Sequence, residues 1–270
     1  DFRKAQIKRD IAYINLQKEQ GRLTSGEADY WKEKIGNLQE YQYGYHKGWS
    51  MILDTLTWPV LIMMLICIGI APIFAGEYQS KCDSLILCMK YGRSKLILAK
   101  IISGWLYATG VYWGITLIYS SIYMIFLGTQ GADLPIQLKY PAMSVGYNLT
   151  MGEAVGITLL LGYFFTLGIM GITLFMSALL KNTYAVIIVA FLLIIIPTFL
   201  SLDTGGYVWS HVLSLLPPKI ADFSFQSYTA YSIGNIVLSW PVMAILVNAI
   251  VAVLCSVLGY IIFRKHQVNK

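Results

Sequence analysis

The chain has 270 residues, 57% of them hydrophobic and 13% charged, with a formal net charge of +6. Soluble domains carry about 25% charged residues, so this composition excludes a single water-soluble core and points to an integral membrane protein. The positive balance reads as cytoplasmic loops rather than a nucleic-acid groove, because no basic stretch is interleaved with aromatic residues.

In chain order, residues 1–42 read as a polar helical hairpin. Ile7, Ile11 and Ile14 recur at helical spacing, and Gly21 to Gly26 breaks the run. Thr24 and Glu27 have capping-box spacing, and Tyr30, Trp31, Ile35 and Leu38 line the second helix. Long uncharged runs follow, and a helix needs about 20 apolar residues to cross the hydrocarbon. They place spans at roughly 52–75, 101–127, 153–180, 183–202 and 238–263. Backbone in lipid must satisfy its own hydrogen bonds, and the runs lack period-two alternation, so the spans are helices. The expected fold is an all-α integral membrane protein, a polytopic bundle with five visible spans. Residues 1–50 form its extracellular hairpin cap and residues 51–270 its transmembrane domain.

Lys and Arg counts orient the bundle. The loop at 76–100, the turn at Lys181 and the C-terminal tail hold nine basic residues, against Lys139 and Lys219 on the other side. That places the loop, the turn and the C-terminus in the cytoplasm, and residues 1–50 outside a plasma membrane. The outer segment 203–237 carries Leu215-Leu216-Pro217-Pro218, then Phe223, Phe225, Tyr228 and Tyr231. It reads as a re-entrant pair of short helices, or as aromatic anchors at the interface.

Catalytic patterns are missing. His46, His211 and His266 are scattered, and no HExxH, GxSxG or GxxxxGK[ST] occurs. The chain is expected not to be an enzyme and to bind no metal. Cys67, Cys82, Cys88 and Cys255 lack zinc-site spacing and read as free thiols. Asp54 and Glu153 stand at outer starts of spans, where a carboxylate suits the helix dipole. Asn148-Leu149-Thr150 is a glycosylation sequon on an outer loop. Tyr107, Tyr112, Tyr119 and Tyr123 mark the second span, as packing groups or as the lining of a substrate path. Gly156, Gly162, Gly168 and Gly171 thin the third for close helix approach. Pro197 is placed to kink the fourth.

Glu77 to Lys100 is too short and too charged to span. Ser80 and Asp83 are placed to cap a short helix, which Leu85, Ile86, Leu87 and Met89 make apolar. Tyr91-Gly92 ends it, and Ser94 caps the next helix. Such a helix is either a connector resting on lipid headgroups or a docking element for a cytoplasmic partner.

The order Phe74-Ala75-Gly76-Glu77-Tyr78, Asp83-Ser84-Leu85-Ile86-Leu87, Tyr91-Gly92-Arg93-Ser94-Lys95 and Ala99-Lys100 resembles the cytoplasmic loop of type-2 (ABC-2-like) permease subunits of ABC transporters. The resemblance covers most of the chain and includes the Leu-Leu-Pro of the last outer loop. It implies a six-span permease in a bacterial plasma membrane, paired with a second permease and with separate P-loop ATPase subunits that carry ATP and magnesium. The chain itself would bind no cofactor. The loop, at about 78–93, would be the coupling helix. Glu77 would be its opening acid, and Asp83, Leu85, Ile86, Leu87, Met89, Tyr91, Gly92 and Arg93 its ATPase-facing stretch. The cargo implied is amphipathic: a peptide, a lipid or a drug. The sequence departs from the pattern in two places. Lys81-Cys82 stands where the family often has Gly-Thr, and the first of six spans is expected upstream of Asp1. The alternatives are an ion-coupled carrier, which would need buried charge, and a membrane sensor or assembly subunit whose hairpin binds a partner.

Overall fold

The computed structural model describes residues 2–36, 43–55, 59–140, 145–202, 206–234 and 236–265. Leu38, His266 and Lys270 lie outside them. The described chain is a helical bundle with four helices long and apolar enough to cross a membrane. The first is formed by α4 (Val60–Ile70) and α5 (Pro72–Gln79). The second runs from Ser94 into α7 (Ile97–Leu127). The others are α8 (Met151–Leu179) and α11 (Trp240–Lys265). The expected fourth span is a shorter apolar helix, α9 (Thr183–Phe199), about 25 Å long at 1.5 Å per residue.

Three expected boundaries shift, each for a local reason. Ile52 to Thr55 belong not to the first span but to a separate helix, α3 (Lys47–Thr55), and α4 starts directly after Pro59, whose ring cannot continue a helix from its N-terminal side. The second span begins well before residue 101, because Lys100 does not end it. Pro197 lies in the last turn of α9, with the Leu200 amide bonded to its carbonyl, so it ends that helix instead of kinking it midway.

The helix α8 is the central column, with 61% of its span window buried against 11% for α7. It is capped by a full box: the Thr150 amide donates to Glu153 Oε2 at 2.9 Å, and the Glu153 amide to Thr150 Oγ1 at 3.2 Å. That accounts for Glu153 as a helix cap. Its main partner is α11, which buries Ala244, Asn248, Ala252, Ser256 and Gly259 along one face. Small residues at three- and four-residue spacing let two backbones approach. Gly168 sits against Asn248, and Gly171 against the backbone of Ala252. Leu246, Ile250, Val253 and Leu254 point out on the opposite side, as lipid contact requires.

The helices alternate between two ends. The loop end gathers Tyr78, Ala178, Asn182 and Phe263: the Tyr78 hydroxyl donates to the Ala178 carbonyl, Gln79 Nε2 to Asn182 Oδ1, and Phe74 packs on Phe263. The cap end gathers α1 (Phe2–Glu19), α2 (Ser25–Gly36), α3, residues 129–140 and 145–150, and residues 206–234 and 236–239. The Thr24–Glu27 box forms as the spacing predicts. The cap is not the hairpin alone. Trp31 is fully buried among Tyr30, Tyr147 and Tyr228, with edge contacts at 5.0–5.4 Å. The buried Glu27 also accepts from the Tyr207 hydroxyl at 2.7 Å, and burial, with Glu27 adding to it, pushes that phenol up to about 12. On α1, the Asp10 carboxylate is buried and has no hydrogen-bond donor among the described residues. Burial pushes it up to about 6, partly opposed by Arg9.

Within residues 206–234 and 236–239 the expected pair of short helices takes the form of one α-helix and one 3-10 helix, followed by a strand pair that the sequence did not suggest. These are α10 (Tyr207–Ser214), a 3-10 turn (Pro217–Asp222) and a hairpin of β1 (Ala230–Ile233) and β2 (Ile236–Ser239). Two prolines and the run of β-branched and aromatic residues favour that mixture. Phe223 stacks on Trp240 at 4.6 Å, and Asn248 Nδ2 donates to the Leu215 carbonyl at 3.2 Å. Asn248 lies eight residues into α11, so the segment descends beside α11 by about 12 Å.

Candidate functional site

The loop end holds the sequence-predicted docking stretch. The helix α5 ends in a Schellman motif: the Cys82 amide bonds the Glu77 carbonyl at 3.0 Å, and the Lys81 amide bonds the Tyr78 carbonyl at 3.2 Å. Lys81 stands at the left-handed position with φ 56°, the one non-glycine residue with positive φ among those described. Glycine is the usual occupant there. A side chain in that region costs about 1 kcal/mol. Lys81→Gly is therefore expected to raise the thermal midpoint slightly in detergent, by up to about 1 kcal/mol of stability, and a lowered midpoint would contradict the strain.

The short helix α6 (Asp83–Cys88) follows. Ser80 does not cap it, since its hydroxyl turns back to the Gly76 and Glu77 carbonyls. The N-cap is Cys82, whose thiol makes no capping bond and instead donates to the Ser80 carbonyl. Leu85, Met89 and Tyr91 are exposed at 70%, 54% and 51%, and Ile86 is half-buried. Lys90 and Lys95 stand over the Tyr91 ring, 5.5 and 4.7 Å from its centre. The side chains of Asp83, Leu87 and Arg93 lie outside the described part. Gly92 is not a left-handed cap. It starts a π-helical turn (Gly92–Leu96) that runs directly into α7, so Ser94 lies inside the helix and caps nothing. A Cβ on Gly92 would fall 1.6 Å from the Ile86 carbonyl oxygen, and that approach is what requires glycine.

The two ends of the loop are joined. Lys100 Nζ pairs with Glu77 and donates to the Ile73 carbonyl at 3.0 Å. Both side chains are 21% exposed. This explains why Lys100 does not end the span: its charge is neutralised by the acid 23 residues earlier. The loop is thus clamped to the bottoms of two spans.

The four tyrosines of α7 do not share one path. Tyr112 is buried and donates to the Leu159 carbonyl of α8 at 2.7 Å. Tyr107 lies against Gly69 of α4. Tyr119 and Tyr123 share a hydroxyl–hydroxyl bond of 2.8 Å. Tyr112 and Tyr119 do line one cleft of about 300 Å³ between α4 and α7, with Pro59, Leu61, Ile62 and Ile115. A second cavity, of about 220 Å³, opens in the cap among Tyr13, Gln17, Arg22, Ser210, Gln226 and Thr229. The histidines are not brought together. His46 Nδ1 meets the Gly44 carbonyl, and His211 lies buried between the Tyr207 and Ala230 carbonyls. Asp54 pairs with Lys139 on the cap side, and burial lowers that lysine while Asp54 partly opposes the shift.

Two positions escaped the sequence reading. Asn248 carried a signal, as a lone amide in an apolar helix. Ser177 carried none, because one serine in a span is ordinary. Comparison with curated proteins and with solved structures finds no match. Residues 30–268, which include the clamp, the loop and every candidate span, match DUF2705, described as a protein of unknown function, and the chain belongs to that family.

Proposed function

We propose that the chain is the membrane-spanning permease subunit of an ATP-driven exporter of the ABC type, acting beside a second permease and driven by separate P-loop ATPase subunits. The observation that carries the reading is the loop at 77–100. It presents an exposed apolar patch edged by Lys90 and Lys95, with Leu85 on a helix too short to be stable alone and Met89 and Tyr91 in the turn that follows it. The Glu77–Lys100 pair clamps that patch to two spans. A partner that pushed on it would move α5 and α7 together. In this reading the loop end is cytoplasmic and the cap is extracellular. The apolar cleft between α4 and α7 suits an amphipathic cargo (peptide, lipid or drug) better than an ion. The charges within the candidate spans stand near their ends, which disfavours an ion-coupled carrier.

The test is recovery of partners from native membranes in mild detergent. A stoichiometric P-loop ATPase is expected with the unaltered protein. At least a tenfold loss is expected with Leu85→Asp/Met89→Asp, which should still elute as a single, unaggregated species. Equal recovery with both, or no ATPase in several detergents, overturns the reading. The polar cavity of the cap favours a second one, a sensor whose cap binds an external ligand. A co-purifying kinase in place of an ATPase would select it.

A further inference from the structure

The cap cavity of about 220 Å³ lies between two parts of the chain. Tyr13 and Gln17 of α1, with Arg22 of the turn after it, line one side, and Ser210 of α10 and residues 226–229 line the other. Its space equals about seven waters at about 30 Å³ each, room for one sugar-sized ring and too little for a drug-sized ligand. Some polar groups of its walls are already engaged by the fold. His211 sits between the Tyr207 and Ala230 carbonyls, and the Ser214 hydroxyl bonds the His211 carbonyl and Tyr231. Others are not engaged. The side-chain amides of Gln17 and Gln226 and the hydroxyl of Thr229 make no hydrogen bond among the described residues. An amide both donates and accepts, and so does a hydroxyl, so these three groups suit a ligand rich in hydroxyls. The rings of Tyr13 and Tyr228, with centres 5.9 Å apart, add apolar faces for the C–H groups of a ring. Arg22, which is exposed, is the only Lys, Arg, Asp or Glu that lines the cavity among the described residues. A guanidinium pairs with carboxylate or phosphate, whereas a ligand ammonium would meet no carboxylate there.

We propose that this cavity is a binding site for a small polyhydroxylated anion, a sugar-like ring that carries a carboxylate or a phosphate. Gln17, Gln226 and Thr229 take its hydroxyls, the two tyrosine rings its apolar edge, and Arg22 its anionic group. A smaller chamber, of about 50 Å³, shares Leu202, Ser214, Ser227 and Thr229 with the cavity and reaches Phe223 and Trp240. Trp240 is the first residue of α11. A bound ligand therefore ties α1 to the segment that leads into a span. The inference goes beyond the transport reading and rests only on the cavity that the second reading also uses, because binding there needs neither an ATPase nor a kinase.

The experiment is saturation-transfer NMR on the full chain in detergent, with glucuronate, glucose 6-phosphate, glucose and glucosamine as probes. At least one of the two anionic probes is expected to bind about tenfold or more tighter than glucose, and the tighter of the two identifies the anion. Glucosamine is expected to bind no better than glucose. Arg22→Gln is expected to erase the preference for the anion. Gln226→Leu is expected to weaken the anionic probe by about fivefold. The Gln226 side chain has no partner to lose among the described residues, so this variant decides the question if Arg22→Gln does not fold. No binding of any probe up to about 10 mM, a preference below about tenfold, or tightest binding of glucosamine overturns the proposal. So does a preference that survives Arg22→Gln, or an unchanged affinity in Gln226→Leu. A groove that holds only water gives the first of these results. Recovery of an ATPase from membranes is a separate measurement, so the transport reading stands or falls apart from this one.

Discussion

Gly171→Ala destabilises the bundle, while Gly156→Ala, fifteen residues earlier in the same helix, leaves it as stable or more so. The two substitutions are chemically identical, so helix propensity favours both by up to about 1 kcal/mol. What differs is the space. A Cβ on Gly156 meets nothing within 4 Å. A Cβ on Gly171 would stand 2.7 Å from Ala252 Cα and 2.8 Å from its carbonyl oxygen. Those are backbone atoms, which cannot rotate away, so α11 must move off α8 as a body. Separating the two helices would loosen the contacts of Asn248 with Gly168 and of Gly259 with the Leu174 backbone along the same face. Overpacking of this kind costs about 1–3 kcal/mol, occasionally more. We expect a net loss of about 2 kcal/mol for Gly171→Ala, with lower recovery of folded protein, read as thermal midpoints in detergent. Equal midpoints for the two variants would mean that the close approach of α8 and α11 does not hold the bundle together.

The sequence was informative wherever the deciding contact was local. The Thr24–Glu27 box could be read from a spacing of three, and the bounds of α8 and α11 from uncharged runs, because both signals depend on neighbours in the chain. The same local logic failed at Lys100. A lysine next to an apolar run reads as a boundary until its partner is known, and Glu77 lies on another helix. It failed again in the cap. Nothing near Trp31 in sequence announces Tyr147 or Tyr228, so a composite of three segments looked like an isolated hairpin. Ser177 is the extreme case. Buried on α8, its hydroxyl donates to the Ala71 carbonyl, more than a hundred residues earlier, and no periodicity encodes that. The departure at Lys81 is the reverse: the sequence showed an unusual residue, and the structure supplies the reason glycine would suit the position, a left-handed turn.

Breaking the loop clamp on one side should cost more than removing it altogether. Glu77→Gln leaves the Lys100 ammonium without a counter-charge, facing only neutral carbonyl oxygens in this contact, and Lys100→Met leaves the Glu77 carboxylate against an apolar stem. Both groups sit four-fifths covered at the foot of two helices. Stranding one member of a buried pair costs about 3–5 kcal/mol, whereas replacing both with neutral groups of similar size is often close to neutral. With a fifth of each side chain still reaching solvent, we expect about 3 kcal/mol for either single variant, at the lower end of that range. For Glu77→Gln/Lys100→Met the expected loss is under about 1 kcal/mol. Thermal unfolding of the four proteins gives the cycle directly, and simple additivity of the two single losses would show that the pair is not coupled. The double variant also separates stability from action. It keeps the spans and the exposed Leu85–Met89–Tyr91 patch but unties the patch from α7. If the loop carries a partner's motion into the membrane, this variant binds the partner normally and fails to transport. A folded double variant that transports at the original rate would show that the clamp only holds the fold, and that any force from the loop travels through α5 alone.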